Sequence, residues 1–402
     1  MRAKLGRIPW AAGGGCGWGM AWAPTEVPVA HELGGARVAR GEAPDRFVPP
    51  VEDRTAELAG RSAGVRRLRQ RRDVRYLSSD LGPGGLSGKV IYLSPGHGFV
   101  YADGGWRTQR GNSYGIVEDL ANADGVAQFL VPYLLNAGAQ VVPLREVDFN
   151  PQMVILDEGD GDRDPERGRY QESGDAEAFF DSELAGWGHP ELPLRGSVNP
   201  FSLGGNRLMR ASASETARAT FVLNVPAAGS YYVYLAYSMY SRRASDAEVI
   251  VVDAGGRTTY LVDQRRHGGT WVLLGRHTFE VGTDGQRGAV IITNRSRDLG
   301  ANISLDAVRI GGGMGLVDRG GGVSGQLRAD EAARYHAQFS GAPPAVYDAL
   351  SSDVADDVVA RSRLADWLHA PGEDALFVSY HSNASGGADV RGTQTYVCLL
   401  YT

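Results

Sequence analysis

The chain has 402 residues, more than one average domain needs and too many for a small scaffold held together by disulfides. Hydrophobic residues make up 43% and charged residues 22% of it, which is typical of globular proteins and argues against wholesale disorder. The net charge of -6 at pH 7 lacks the basic character of nucleic-acid binders, so we expect no nucleic-acid partner.

The first 86 residues are rich in Pro, Gly, Arg and Glu and show little periodicity, which predicts an N-terminal extension and linker over 1–86. Its first 23 residues resemble a secretory signal only faintly. No stretch approaches the roughly 20 apolar residues of a membrane helix, so we expect no transmembrane segment. Cys16 and Cys398 lie near opposite ends, indicate neither a zinc-thiolate site nor a disulfide scaffold, and leave the redox state open.

A strand, helix, strand pattern begins at Lys89. Residues 90–93 form a short apolar run that stops at a Ser-Pro-Gly turn, and His97 follows directly. Residues 116–136 carry Leu and Ala at three- and four-residue steps, which predicts an amphipathic helix, and 139–144 is the next apolar run. This is the pattern of a βαβ unit with a parallel sheet, and we assign 87–150 to the first part of an α/β domain.

The pattern changes after residue 150. We interpret the acidic stretch over 151–175 as a linker, and short β-branched and aromatic runs separated by turns predict a β-sandwich over 176–313 with its own two-layer core. Helical periodicity then returns, and 375–380 is a further apolar run that ends at His381, so the second part of the α/β domain spans 325–402. The predicted fold class is an α/β domain, with a mostly parallel twisted sheet flanked by helices, interrupted by an all-β sandwich domain.

Three side chains suggest a metal site. His97 and His381 each follow an apolar strand, and Glu118 opens the first predicted helix. Because ligands bind outside the carboxyl ends of strands in open α/β sheets, we expect these side chains to share one edge. Two histidines and a carboxylate are the ligand set of hydrolytic zinc with an open fourth position. Each residue alone also fits an ordinary role, such as a loop histidine or a glutamate favoured by the helix dipole.

The sequence around these side chains resembles the zinc-dependent N-acetylmuramoyl-L-alanine amidases of the AmiC/CwlV type, the amidase_3 family. The resemblance covers roughly 88–145 and 325–397, and its motifs are Ser94–Gly98, the helix-opening Glu118, Ser379–Ala384 and Gly392–Tyr396. It implies that Zn²⁺ is bound by His97, Glu118 and His381. Departures from the family pattern, namely Ser94, Tyr380, Ser382, Gln394 and a longer loop after His97, spare the ligands.

The resemblance assigns no catalytic residue. Family members carry a catalytic glutamate well downstream of the Gly-Thr-Glu-Thr-Tyr strand, and the sequence ends at Thr402 before that point. The identity of the general base therefore stays unknown. We expect either a fragment or a version that has lost this base.

The predicted sandwich resembles the golvesin C-terminal-like module, chiefly through Val262–Gly275 and Asn302–Arg309. Such a resemblance implies binding to carbohydrate or cell wall. Tyr231, Tyr232, Tyr240 and Trp271 could stack on sugar rings, although alternate aromatics in a strand usually face the core.

Together the resemblances imply a monomeric peptidoglycan hydrolase of the cell envelope, periplasmic or extracellular, without a clear signal peptide. It would cleave the amide between N-acetylmuramic acid and L-alanine. Two alternatives stay open: a cell-wall or carbohydrate-binding protein with a decayed amidase unit, and a zinc amidohydrolase or peptidase that acts on another amide.

Overall fold

The structure is a computed structural model that describes residues 84–113, 115–161 and 165–382, together with the backbone of 74–76. These residues all fall within one compact unit, Arg46–Thr402. Most of the predicted extension over 1–86, the motif Gly392–Tyr396, and both Cys16 and Cys398 lie outside the described residues.

Strands dominate the described residues. In chain order they are β1 (Val74–Tyr76), β2 (Lys89–Ser94), β3 (Phe99–Ala102), β4 (Gly105–Thr108), β5 (Asn112–Ser113), β6 (Ile116–Val117), β7 (Gln140–Pro143), β8 (Val154–Asp157), β9 (Gly168–Gly174), β10 (Phe179–Asp181), β11 (Arg207–Arg210), β12 (Ala217–Leu223), β13 (Gly229–Leu235), β14 (Ala247–Asp253), β15 (Gly256–Val262), β16 (Val272–Phe279), β17 (Ala289–Thr293), β18 (Asn302–Leu305), β19 (Ala307–Ile310) and β20 (Asp374–Ser379).

Among the described residues, the α-helices lie before residue 137 and after residue 332. They are α1 (Glu118–Gly125), α2 (Val131–Asn136), α3 (Ala333–Phe339), α4 (Pro344–Tyr347) and α5 (Asp353–Leu368). A short π-helical segment, Val126–Leu130, joins α1 to α2, so the predicted helix over 116–136 is nearly continuous.

A small parallel sheet has the strand order β20, β2, β7. Its central strand β2 is apolar and buried on both faces, as is typical of a parallel sheet covered by helices. The strands β2 and β7 with the helices between them confirm the predicted βαβ unit. Strand β2 is also parallel to β20, and Ser94 pairs with Ser379 where both strands end.

Antiparallel sheets make up the rest. Two of them are the two-stranded pairs β3–β4 and β5–β6, and the three larger ones have the orders β1, β15, β14, β17, β12, β9; β16, β13, β19, β8; and β10, β11, β18. All neighbours pair antiparallel except β1 and β15, which are parallel. Apolar side chains from the three larger sheets, among them Phe221, Val249, Leu274 and Val308, form one core. The predicted β-sandwich core is therefore present.

Residues 151–175 are not a linker. They contain β8, which pairs with β19, and β9, which pairs with β12. Acidic residues such as Glu158 and Asp160, which follow β8, dominate the composition of the segment, although Val154 and Leu156 are buried. The sheets of the sandwich thus begin before residue 176.

A second core joins the sandwich to the α/β part. It contains Leu93 and Val131 from the α/β part together with Tyr232, Tyr234 and Trp271 from the sandwich. The sandwich therefore has its own core and also covers one face of the α/β part.

Next to this shared core lies the fully buried carboxylate of Glu146. It accepts hydrogen bonds from Arg309 at 2.7 Å and from Arg328 at 3.1 Å, and it also contacts the hydroxyl of Tyr234. Burial alone would raise the pKa of Glu146, but the charges of Arg309 and Arg328 lower it to about 2. Glu146 follows β7, Arg309 lies in β19 and Arg328 precedes α3, so one carboxylate connects three parts of the chain.

We expect Glu146→Gln to lower the free energy of unfolding by about 3–5 kcal/mol, because it leaves two buried guanidinium groups without a counter-charge. Chemical denaturation of the full chain measures this change. The matched control is Glu280→Gln, which removes the carboxylate of an exposed pair with Arg287 and should cost less than about 1 kcal/mol. Equal losses in the two variants would contradict the prediction.

The difference in stability between wild type and Glu146→Gln should depend on pH. The folded-state pKa of Glu146, about 2, lies below its usual 4.5, so its contribution to stability is present above pH 4.5 and is lost as the pH falls toward 2. We expect wild type to lose its advantage over Glu146→Gln across this interval. A constant difference between their unfolding free energies from pH 6 to pH 2 would contradict this.

Candidate metal centre

The structure brings His97, Glu118 and His381 together at the carboxyl edge of the parallel sheet. One ligand atom from each side chain lies within 4.8 Å of the other two. In the part of the chain that the structure describes, no other group of three or more His, Cys, Asp or Glu side chains meets this criterion. We call these three residues the metal centre. Their convergence was expected from sequence, whereas metal binding itself stays a prediction.

The donor atoms approach each other closely. His381 Nδ1 lies 3.0 Å from Glu118 Oε1, and the rings of His97 and His381 have centroids 4.8 Å apart. Donor atoms on one tetrahedral zinc ion are about 3–3.5 Å apart, given metal–ligand distances near 2.1 Å. His97 is buried, Glu118 half-buried and His381 exposed. Two imidazoles and a carboxylate, open on one side, are a donor set that fits zinc.

Gly96 allows the turn after β2 to approach the end of β20. Its φ is +82°, a conformation that favours glycine. A Cβ atom at this position would lie 3.0 Å from the carbonyl oxygen of Tyr380 and 3.6 Å from His381 Nδ1. The glycine of the Ser-Pro-Gly turn is thus required by both backbone conformation and space, and it places His97 beside His381.

Arg145 holds the turn that carries His97. Its buried guanidinium donates to the carbonyl oxygen of Pro95 at 3.3 Å and also to that of His97. The same side chain donates to the carbonyl oxygens of Ala329 and Glu331, at 2.8 and 2.9 Å. Sequence reasoning missed Arg145; the available signal was a charged residue directly after an apolar run.

Asp119 positions a second guanidinium near the metal centre. Its Oδ2 accepts hydrogen bonds from the backbone N–H groups of Gln109, at 2.6 Å, and Arg110, at 3.1 Å. Burial raises the pKa of Asp119 above its usual value, against the opposing effects of the Arg110 N–H and the Arg145 charge. The Arg110 side chain, 58% exposed, lies with Nη2 3.2 Å from His97 Nε2.

Helix α5 contributes a buried ion pair that contacts both histidines. Arg361 contacts Asp357, and its Nη2 and Nη1 lie 2.8 Å from His97 Nδ1 and 3.3 Å from His381 Nε2. Burial opposes ionisation of Asp357, but the contact with His97 and the charge of Arg361 hold its pKa below the usual value. Sequence reasoning missed this pair; its signal was an acidic and a basic residue four positions apart in a helix whose partners were unknown.

Most of the aromatics considered for sugar stacking are packing residues. Tyr231, Tyr232 and Trp271 are buried in the two cores. Tyr240 is 47% exposed, with the guanidinium of Arg242 5.7 Å from its ring centre. Of these four, Tyr240 therefore keeps an accessible ring.

Comparison with known proteins identifies one part of the chain. Residues 197–312 match the family model of the Golvesin C-terminal domain. The predicted golvesin-like domain is thus confirmed within the 176–313 span. The matched residues include none of the metal centre, so the amidase resemblance and the zinc site stay predictions.

The similar proteins act on carbohydrates according to their names. The chain is 37% identical over 97 residues to a xanthan lyase of Bacillus sp. (strain GL1), a stretch that is 23% of this chain and 10% of that protein. A Paenibacillus xanthan lyase structure gives a TM-score of 0.30 at 25% identity, over 40% of this chain and 13% of that one. For the isomalto-dextranase of Arthrobacter globiformis T6 the TM-score is 0.22 at 16% identity, over 39% and 23%.

None of the described helices is long and apolar enough to span a membrane.

We expect the purified full chain to hold one zinc ion, and His97→Ala or His381→Ala to abolish its retention, because each removes one of three protein ligands. Elemental analysis after zinc loading and dialysis measures the stoichiometry. His189→Ala is the matched control, since His189 contacts Asp160 at 2.9 Å outside the metal centre. Wild-type protein that retains no zinc would contradict the prediction.

Proposed function

We propose that the protein is a zinc-dependent amidase that cleaves peptidoglycan between N-acetylmuramic acid and L-alanine. The observation that carries this proposal is the convergence of His97, Glu118 and His381. In this proposal the metal centre belongs to an α/β catalytic domain interrupted by a Golvesin-type sandwich, and the protein works as a monomer in the cell envelope.

The chain's own residues would prepare this site. Zinc bound by the three ligands would supply a Lewis acid that polarises the amide carbonyl and activates water. Arg145 would keep His97 in place through the backbone of the turn after β2. The exposed guanidinium of Arg110, next to His97, would donate hydrogen bonds to a carbonyl or carboxylate oxygen of the peptide stem.

A second candidate is a carbohydrate-binding protein whose α/β part does not catalyse hydrolysis. The Golvesin C-terminal domain and the curated relative named xanthan lyase support it more directly than they support an amidase. The chain spans about a tenth of that relative, so the substrate of the relative is a proposal here. In this second case the sandwich would bind a cell-wall or other polysaccharide.

Digestion of purified sacculi by the zinc-loaded full chain tests the first candidate. We expect release of muropeptides with new L-alanine amino termini, and a rate at least about 100-fold lower for His381→Ala, because a metal contributes several kcal/mol to such a reaction. His189→Ala should keep the wild-type rate.

Sacculi that bind the protein but yield no new amino termini would contradict the amidase and support the binding protein. Cleavage of other amides without release of L-alanine termini would contradict the assigned bond.

A further inference from the structure

A buried carboxylate on α5 lies next to His97 of the metal centre. Asp357 is fully buried, and its Oδ2 lies 3.7 Å from His97 Nδ1. Its Oδ1 accepts a hydrogen bond from the backbone N–H of Ala333 at 2.8 Å, and Arg361 contacts Oδ2. Asp357 is therefore held in position by groups other than the histidine.

The two nitrogens of His97 face different surroundings. Nε2 lies 3.2 Å from Nη2 of Arg110, a side chain that is 58% exposed. Nδ1 faces Asp357 and Arg361. Because the buried Asp357–Arg361 pair lies against Nδ1, Nε2 is the nitrogen of His97 that would bind a metal, with the exposed Arg110 side chain moved away from it.

The nitrogen of His97 that binds the metal determines which nitrogen carries the proton. A neutral imidazole carries one N–H donor and one acceptor nitrogen, so a metal on Nε2 requires the proton on Nδ1. A ligating histidine nearly always donates this second N–H to a carboxylate, carbonyl or water. The contact of Arg361 with Nδ1, a donor facing that nitrogen at 2.8 Å, belongs to the opposite tautomer.

We propose that Asp357 is a positioning residue for His97: its Oδ2 accepts the Nδ1–H and thereby selects the tautomer that presents Nε2 to the metal. This inference rests on the proposed metal centre. Arg361 acts in both directions, because it neutralises the carboxylate and also competes with it for Nδ1. Asp357 is thus required for tight binding of the metal rather than for contact with substrate.

The neighbouring Asp356 supplies a matched comparison. It is equally buried on α5, and its Oδ1 accepts hydrogen bonds from the backbone N–H groups of Ala349 and Leu350, both at 2.8 Å. No contact between Asp356 and the metal centre is found among the described residues. Asp356→Asn therefore disturbs a buried carboxylate of the same helix without touching His97.

The experiment compares zinc affinities of the full-length wild type, Asp357→Asn and Asp356→Asn, measured by competition with a chromophoric chelator. We expect Asp357→Asn to weaken zinc binding about 10- to 100-fold, as is typical for loss of an outer carboxylate. Asp356→Asn should stay within about threefold of wild type, even if both variants melt at lower temperature. The absorption spectrum of the Co²⁺-loaded Asp357→Asn variant should also change, because His97 loses its fixed orientation.

Equal zinc affinities in the two variants would overturn the role of Asp357 while leaving the metal centre intact. Absence of zinc binding by wild type would overturn both. If Asp357→Asn does not fold, NMR of the zinc-loaded wild type replaces it. Long-range ¹H–¹⁵N spectra of protein with ¹⁵N-labelled histidine show which nitrogen of His97 carries the proton. A proton on Nδ1 of His97 supports the proposal, and a proton on Nε2 overturns it.

Discussion

The buried carboxylate of Glu146, paired with Arg309 and Arg328, joins the end of β7 to the sandwich and to the segment before α3. Glu146 points into the sandwich, whereas its chain neighbour Arg145 points the other way and holds the turn that carries His97. Two adjacent charged residues after β7 therefore connect the sandwich to the metal centre. Both are desolvated, so their hydrogen-bonded partners are indispensable, which explains why each is surrounded by several of them.

The sandwich serves this arrangement through its buried aromatics. Trp271 lies in a motif that resembles golvesin-type modules, and it packs against Trp187 and Phe339 with ring centres 4.7 and 6.4 Å away. Phe339 belongs to α3 of the α/β part. The motif therefore contributes to contact between the two parts of the chain. A polysaccharide would have to be recognised elsewhere on the sandwich.

Sequence alone predicted the three strands of the parallel sheet, the βαβ unit, the sandwich and the convergence of His97, Glu118 and His381, because each of these side chains directly follows an apolar strand or opens a helix. The assignment of 151–175 as a linker was wrong, because the segment is acidic and the partners of its two strands, β19 and β12, are distant in the chain. Sequence reasoning also missed Arg145 and the Asp357–Arg361 pair. Their roles depend on which groups tertiary packing places around them, and local periodicity carries no information about that.

The parallel pairing of β2 with β20 has a consequence for folding. Glu118 and His381 are neighbours in space but 263 residues apart in the chain, and the whole sandwich lies between them. The entropic cost of closing a loop grows only with the logarithm of its length. An insertion of this size therefore lowers the free energy of unfolding only slightly. Contacts of such high contact order nevertheless form slowly. We therefore expect the pairing of β2 with β20, which brings His381 next to Glu118, to be a late step of folding.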